Sequence, residues 1–198
     1  MPRIELITAA TAPLTTRQFF EGGDPGPIAA AIAQVPELLG PSLNFLGAVL
    51  GPGCLSTRLK ELVILRMSVD AHCRYCINAH TCVALDVGLS VDEIRALRGY
   101  APIVGTFSNE AEMALLAWVD AMATTNPIDD QLAASVKQYF ADHELVELTL
   151  LASTTLLLNR LCTALELPND DGTLARLASE GFDLAGAPKT LNLTGTKS

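Results

Sequence analysis

From residue 56 onward, apolar residues recur at intervals of three and four, which is the spacing of one face of an α-helix. The first such segment carries them at Leu59, Leu62, Val63, Met67 and Val69. Alternating apolar and polar residues, the pattern of a half-buried strand, are not sustained anywhere in the chain. The sequence therefore predicts an all-α fold.

Capping residues predict where these helices begin and end. Six helices are expected to start near Ser56 or Thr57, Cys73, Ser90, Asn109, Asp129 and Asp142. The second should end at Val87, before Gly88, and the third near Leu97. The sixth, from Asp142 to about Leu165, is apolar on nearly all sides and is expected at the centre of the fold.

Proline and glycine crowd residues 13–53, which predicts short helical pieces joined by turns and no long regular element. A chain of 198 residues has room for one domain with a sizeable hydrophobic core. We expect a single all-helical domain over residues 1–180, with its core around the cysteines at about 56–98. The remaining stretch, 181–198, is rich in Gly, Pro, Thr and Lys and is expected to be a tail or a docking arm.

The proportions of apolar and charged residues limit the kinds of partner that the chain can bind. Hydrophobic residues make up 49% and charged residues 18%, so other copies of the chain are expected to cover apolar faces in a homo-oligomer. The net charge of −9 and the lack of a Lys/Arg block argue against nucleic acid as a partner. The longest uncharged apolar run, 148–158, is shorter than the roughly 18 residues of a membrane span, and the first residues do not resemble a secretory signal. We therefore expect a cytoplasmic protein without a membrane partner.

Two of the five cysteines, Cys73 and Cys76, form a CxxC pair. An odd cysteine count without a predicted signal favours redox or metal chemistry over a disulfide scaffold. At the start of a helix, unpaired backbone amides and the helix dipole lower the pKa of both thiols; by this argument alone Cys73, nearer the terminus, is the better thiolate. Cys54, Cys82 and Cys162 are interpreted as packing residues.

A histidine and a glutamate are spaced so that they can join the pair. His80 follows Cys76 by four residues and lies on the same helix face, where it can exchange a proton with the sulfur directly or through water. Glu61 can reach the thiols only if the chain turns before Cys73, because twelve residues of unbroken helix would span roughly 18 Å. Residues 68–72 are the expected corner. With that turn, Glu61 would orient His80 as the base of an activated nucleophile.

Glu61, Cys73, Cys76 and His80, with their context over residues 59–97, resemble the alkylhydroperoxidase D-like members of the carboxymuconolactone decarboxylase superfamily. The resemblance implies an all-helical fold, obligate oligomers that are commonly trimers or hexamers, and thiol-dependent reduction of hydroperoxides without a metal or organic cofactor. It assigns attack on the peroxide to Cys76, formation of the resolving disulfide to Cys73, and the proton relay to Glu61 and His80. Electrons would return from a thiol reductant of the lipoyl or thioredoxin type.

One position departs from the family pattern. Well-studied members have a histidine directly before the second cysteine, where this chain has Tyr75. A tyrosine can donate a hydrogen bond but relays protons poorly near neutral pH, since its reference pKa is about 10. Tyr75 is therefore predicted to be an auxiliary residue of the site.

Other interpretations of these residues lead to different functions. The two cysteines could be buried and inert, or His72, Cys73, Cys76 and His80 could bind zinc, although four ligands on one and a half helical turns are cramped for a tetrahedral site. A noncatalytic helical oligomer, with the CxxC as a redox switch, is the rival from another class of protein. The decarboxylase branch of the superfamily is disfavoured because lactone decarboxylation does not need paired thiols.

A weak internal repeat relates two helical segments at an offset of 86 residues. Residues 61–65 resemble residues 147–151, and the same offset pairs Cys76 with Cys162 and Cys73 with Asn159. Chance agreement between two apolar helices explains the match equally well. If the repeat is real, Asn159 is expected to face the pocket.

Overall fold

Nine α-helices and one short 3₁₀ helix make up the described part of the chain, residues 1–124 and 126–185, in a computed structural model. The 3₁₀ helix is Arg17–Phe20, and the α-helices are α1 Pro27–Ile32, α2 Pro36–Leu50, α3 Thr57–Asp70, α4 Arg74–Asp86, α5 Val91–Leu97, α6 Glu110–Met122, α7 Asp130–Val136, α8 Asp142–Leu165 and α9 Asp171–Ser179. The same residues contain no strand, only a single bridge between Val104 and Phe107. The predicted all-α class is confirmed.

Helix α3 lies at the centre of the fold. It packs against α4, α6 and α8, and every residue from Lys60 to Val69 is buried. Two of its charged side chains are held by partners on neighbouring helices: Lys60 donates to Glu147 at 2.7 Å, and Arg66 donates to Asp120 at 2.5 Å. Such pairing is what allows charged groups inside an apolar core.

Helix α8 has the predicted bounds but not the predicted environment. Its inner face packs on α2, α3 and α4, whereas Val146, Leu150 and Leu157 are exposed by 65%, 44% and 57%. The expectation that α8 occupies the centre is therefore wrong, because α3 is enclosed and α8 covers it from one side. Helix α8 is also long and apolar enough to cross a membrane. Core helices commonly meet the same two criteria of length and composition.

The predicted helix ends are present at α3, α4 and α5. Ser56 Oγ accepts a hydrogen bond from the Leu59 amide at 3.3 Å at the start of α3. At the start of α5, the Glu93 amide donates to Ser90 Oγ and Glu93 Oε2 accepts from the Ser90 amide, which completes a capping box. Gly88, with a φ of 86°, takes the left-handed conformation after α4 that glycine adopts without strain.

Helix α2 contradicts the expectation of short pieces in the first part of the chain. It runs for 15 residues and contains Pro41 in its interior. Pro36 occupies the first turn, where no helical hydrogen bond needs its missing amide proton, and Pro41 removes only one backbone hydrogen bond. Leu39, Leu46 and Val49 are buried, and this burial offsets the loss. Helix α9 is also not predicted by the sequence analysis.

The chain turns sharply between α3 and α4, at the predicted corner. His72 has a φ of 54°, a left-handed conformation, and the Cys73 amide donates to the Ser68 carbonyl oxygen at 2.9 Å. His72 Nδ1 hydrogen-bonds the Val69 carbonyl oxygen at 2.9 Å, which holds the ring against the end of α3. The turn packs α4 against α3, so residues on the two helices can face each other.

The chain stays on the core beyond the predicted end of the domain. Phe182 is buried, and the guanidinium carbon of Arg98 lies 5.2 Å from the centre of its ring. The Leu184 carbonyl oxygen accepts a hydrogen bond from Asn78 at 3.2 Å. Residues 186–198, the rest of the predicted tail, lie outside the described residues.

Candidate active site

The CxxC pair opens helix α4. Cys73 is the N-cap residue and Cys76 lies in the first turn, so both thiols are near the positive end of the helix dipole. Both are free thiols, 1% and 4% exposed respectively, and their Sγ atoms are within 4.8 Å of each other. Rotation of the side chains can bring these atoms toward the roughly 2.05 Å of a disulfide bond.

A third thiol joins the pair. Cys162, in the last turn of α8, is free and 1% exposed, and its Sγ lies within 4.8 Å of both Cys73 Sγ and Cys76 Sγ. We call these three residues the thiol cluster. The interpretation of Cys162 as a packing residue is therefore incomplete, because its neighbours are the sulfurs of the CxxC. The signal that could have found it is the 86-residue offset, which pairs Cys162 with Cys76.

Asn159 stands about one turn before Cys162 and faces the same site. It is fully buried, and its Nδ2 donates to Ser68 Oγ at 3.0 Å. It also acts to lower the pKa of Cys76, while its Oδ1 is buried without a partner in the described part of the chain. Asn159 therefore lies beside Cys76, but it does not line the cavity that leads to the site. Helix α8 thus supplies an amide and a thiol to a site otherwise built from α3 and α4.

The three thiols of the cluster are electrostatically unequal. Hydrogen bonds with Cys162 and then with Cys76 lower the pKa of Cys73 well below its usual value and outweigh burial. A hydrogen bond with Cys162 acts to lower the pKa of Cys76, but the hydrogen bond to Cys73 and burial outweigh it and raise that pKa. Hydrogen bonds to Cys73 and Cys76, together with burial, raise the pKa of Cys162. Of the three thiols, Cys73 therefore ionises most readily, in agreement with the helix-dipole argument.

An open cavity of about 400 Å³ leads to the thiol cluster. Cys73 and Cys162 line it together with His72 and Tyr75, whereas Cys76 is not among its lining residues. A molecule that enters the cavity therefore meets Cys73 and Cys162 first, and Cys76 lies behind them.

The predicted pairing of Glu61 with His80 is confirmed. His80 Nδ1 and Glu61 Oε2 are 2.9 Å apart, and Glu61 is only 5% exposed. This contact orients the ring and leaves Nε2 as the nitrogen that can exchange a proton. No hydrogen bond joins His80 to Cys76 among the described residues, so proton exchange between them, directly or through water, stays a prediction.

Tyr75 lies at the wall of the cavity. Burial raises the pKa of its phenol above the ordinary value, so the side chain keeps its proton near neutral pH. Its backbone carbonyl oxygen accepts a hydrogen bond from Asn169 at 2.9 Å, which anchors the first turn of α4. Tyr75 can therefore donate a hydrogen bond in the cavity but cannot act as a base there, which is consistent with the auxiliary role predicted for it.

The same arrangement decides which residues could hold a metal ion. The structure does not gather His72 and His80 with the CxxC sulfurs into the ligand set of the zinc alternative. The three sulfurs of the thiol cluster are the group that could hold a soft cation. Within the described part of the chain, no fourth cysteine, histidine or carboxylate atom lies within 4.8 Å of all three, as a tetrahedral zinc site would need.

The helical core matches a known family. Residues 36–123, which span α2 to α6 and contain the CxxC pair with Glu61 and His80, match the carboxymuconolactone decarboxylase family. The core region of the chain is therefore similar to this family. The family resemblance seen in the sequence is thereby confirmed. A comparison with curated proteins finds no match.

Solved structures share the fold of this chain. A protein of unknown function from Agrobacterium tumefaciens, with a suggested AhpD role in antioxidant defence, is 24% identical over 71% of this chain and 97% of its own, with a TM-score of 0.64. A peroxidase-related protein from Ralstonia eutropha, described as an alkylhydroperoxidase AhpD core, is 15% identical over 87% of this chain and 94% of its own, with a TM-score of 0.72. A variant of the debrominase Bmp8 in complex with 2,3,4-tribromopyrrole is 19% identical over 90% of this chain and 99% of its own, with a TM-score of 0.71. The TM-scores of 0.64 to 0.72 show that the chain has an AhpD-like fold. The neighbours with this fold include a peroxidase-related protein and a debrominase.

Proposed function

We propose that the protein is a thiol peroxidase that reduces hydroperoxides with its CxxC pair. The observation that carries the proposal is a reduced dithiol at the positive end of α4, on the same helix as a histidine held by a buried glutamate. The dithiol can supply two electrons, and the Glu61–His80 pair can hold and deliver a proton. The peroxidase-related neighbours support the same class of chemistry.

The first step is attack of a Cys76 thiolate on the peroxide. Cys76 passes its proton to the Cys73 thiolate, whose sulfur lies within 4.8 Å, and this moves the charge to Cys76. The Cys76 sulfur then bonds to one peroxide oxygen, the O–O bond breaks, and an alkoxide leaves. His80, oriented by Glu61, delivers a proton through water to the alkoxide. The products are an alcohol and a sulfenic acid on Cys76.

Cys73 resolves the sulfenic acid. Its sulfur attacks the Cys76 sulfur, the S–O bond breaks, and the hydroxyl leaves as water with the Cys73 proton. Two thiols have then become one disulfide, and one hydroperoxide has become one alcohol and one water. Because Cys73 lines the cavity and Cys76 does not, a dithiol reductant of the lipoyl or thioredoxin type attacks at Cys73 and releases Cys76. The proposed cycle needs no metal or organic cofactor.

Peroxide consumption by the reduced protein tests this proposal. Reduced protein is mixed with cumene hydroperoxide, tert-butyl hydroperoxide or hydrogen peroxide, and the remaining peroxide and the free thiols are counted. Each chain should consume one peroxide and lose two thiols, and dihydrolipoamide should sustain repeated turnover. Cys54→Ser removes an exposed thiol outside the cluster and should behave like the unchanged protein.

Other outcomes would contradict the peroxidase proposal. A single oxidation without turnover under any dithiol would favour the redox-switch alternative. Debromination of a bromopyrrole without reaction towards hydroperoxides would indicate the chemistry of the debrominase neighbour. Release of carbon dioxide from a lactone, undiminished when both CxxC cysteines are replaced, would indicate the decarboxylase branch.

A further inference from the structure

We infer that Cys162 is a third redox-active thiol of the site and a second resolving cysteine. The inference rests on the proposed peroxidase function. In it, a sulfenic acid formed on the CxxC pair condenses with Cys162 as well as with its CxxC partner. The resulting disulfide joins α4 to α8, two helices that pack against each other and have no covalent link among the described residues.

The surroundings of Cys162 support a reactive role. Its sulfur lies within 4.8 Å of both CxxC sulfurs, and the two CxxC sulfurs are likewise within 4.8 Å of each other. Among the cysteines that the structure describes, Cys162 is therefore the one that can replace Cys73 in reaching a sulfenic acid on Cys76.

The cavity gives a second, independent reason. Cys73 and Cys162 both line it, and Cys76 does not. A disulfide between Cys73 and Cys76 presents one sulfur to an incoming reductant, whereas a disulfide between Cys73 and Cys162 presents both. The third thiol thus places the oxidised form of the site where a reductant can attack it.

The chemistry balances without a further reactant. The Cys162 sulfur attacks the sulfur of the Cys76 sulfenic acid, an S–S bond forms, the S–O bond breaks, and water leaves with the Cys162 proton. Cys73, which still holds the proton received from Cys76, then attacks the Cys162 sulfur. The Cys73–Cys162 bond forms, the Cys76–Cys162 bond breaks, and the proton of Cys73 passes to the leaving Cys76 sulfur. One peroxide still oxidises two thiols, so the stoichiometry of the proposed function is unchanged.

Replacement of Cys73 distinguishes a site with two thiols from a site with three. With two, Cys73→Ser would accumulate a Cys76 sulfenic acid after one peroxide, because the resolving thiol is missing. With three, Cys73→Ser should lose two thiols to a Cys76–Cys162 disulfide, and dimedone labelling should fall to background. Dimedone should label Cys76 strongly only in Cys73→Ser/Cys162→Ala. Circular dichroism checks the fold of each variant, and Cys162→Ser replaces Cys162→Ala if the latter fails to fold.

Peptide mapping identifies the disulfide directly. Trypsin cleaves after Arg66, Arg74 and Arg160, which places the three cysteines of the cluster on three different peptides. Cys76 shares its peptide with Cys82, so Cys73→Ser/Cys82→Ala is the matched control. This control removes a buried cysteine of the main core and should form the same disulfide to Cys162.

The possible results separate this inference from the proposed function. A sulfenic acid that is equally abundant in Cys73→Ser and in Cys73→Ser/Cys162→Ala would overturn the inference and leave the peroxidase function in place. If only Cys76→Ser reacts, Cys73 is the attacking thiol, and the expected disulfide joins Cys73 to Cys162.

If the unchanged protein does not consume peroxide, the proposed function fails. Diamide oxidation, which needs no peroxidase activity, should then still yield a disulfide to Cys162, and its absence would overturn the redox role of that thiol.

Discussion

Glu61 differs from its neighbour Lys60, although both are buried charges on α3. Lys60 makes an ion pair with Glu147 at 2.7 Å and donates to the Gly51 carbonyl oxygen at 2.6 Å, so structural partners satisfy its charge. Glu61 instead faces the ring of His80 at 2.9 Å, a partner that is charged only when protonated. A buried carboxylate in this position fixes the orientation of the ring and leaves Nε2 as the nitrogen that exchanges a proton. Glu61 is thus placed to act through His80.

Loss of either member of this pair should slow peroxide reduction without unfolding the protein. His80→Ala and Glu61→Gln are expected to slow the first oxidation by about 10²-fold, the usual range of acid–base catalysis, and to change its pH dependence. Stopped-flow thiol oxidation measures the rate, and circular dichroism checks the helices. Glu112→Gln removes another buried carboxylate, paired with Arg58, and should keep the original rate. An unchanged rate and pH profile in Glu61→Gln would remove the pair from the mechanism.

At the level of the helices, two carboxylates share one guanidinium near the end of α3. Asp70 on α3 and Asp120 on α6 both lie beside Arg66. Arg66 donates to Asp120 Oδ1 at 2.5 Å and to Oδ2 at 3.1 Å. Asp70 lies 3.6 Å from the same guanidinium, and both of its oxygens are buried without a hydrogen bond among the described residues. Burial raises the pKa of Asp70 to about 7; Arg66 opposes this shift and Asp120 adds to it. The junction before the corner therefore contains a carboxyl group that resists ionisation.

Asp70 should make the fold less stable as the pH rises. The unfolded chain releases this proton near pH 3.8 and the folded chain near pH 7, so the stabilisation is complete below pH 3.8 and is lost as the pH rises to about 7. In urea denaturation, Asp70→Asn should match the original protein at pH 4 and exceed its free energy of unfolding by on the order of 1–3 kcal/mol at pH 8. Glu180→Gln removes an exposed carboxylate and should show no such difference. Equal effects of Asp70→Asn at both pH values would contradict the burial argument.

Across the whole molecule, the largest unexplained feature is the outer face of α8. Val146, Leu150 and Leu157 are exposed on the same side of the helix. A neighbouring groove of about 520 Å³ is lined by Trp118 and Leu145. A single chain rarely leaves such a continuous apolar surface in water. A second copy of the chain would cover it, and this would also explain a composition with only 18% charged residues.

We expect the protein to assemble through this face as a homo-oligomer, a trimer or a hexamer. Light scattering at micromolar concentration should give the mass of several copies. Leu150→Glu places a charge in the contact and should shift the population towards smaller species while the helical content is retained. Leu14→Glu introduces the same charge at an exposed position near the N-terminus and should leave the assembly intact. A single-chain mass for the unchanged protein would contradict this assembly.

Most helix ends could be predicted from the sequence because they depend on contacts within a few residues. The side chains of Ser56 and Ser90 accept hydrogen bonds from backbone amides in the first turn of their own helices. Gly88 ends α4 through its own left-handed conformation. None of these effects depends on the rest of the chain. Helix α2 could not be predicted in the same way. Pro41 argues against a helix locally, and only the burial of Leu39 and its neighbours on the folded core outweighs that cost.

The sequence by itself determined the dithiol, its place at a helix start, and the meeting of Glu61 with His80, because these depend on spacing along two consecutive helices and one short corner. Only the tertiary structure decided that Cys162 and Asn159 complete the site and that α3 is enclosed instead of α8. Contacts across an offset of 86 residues arise when helices settle against one another through many weak apolar contacts, and no local pattern specifies which faces will meet.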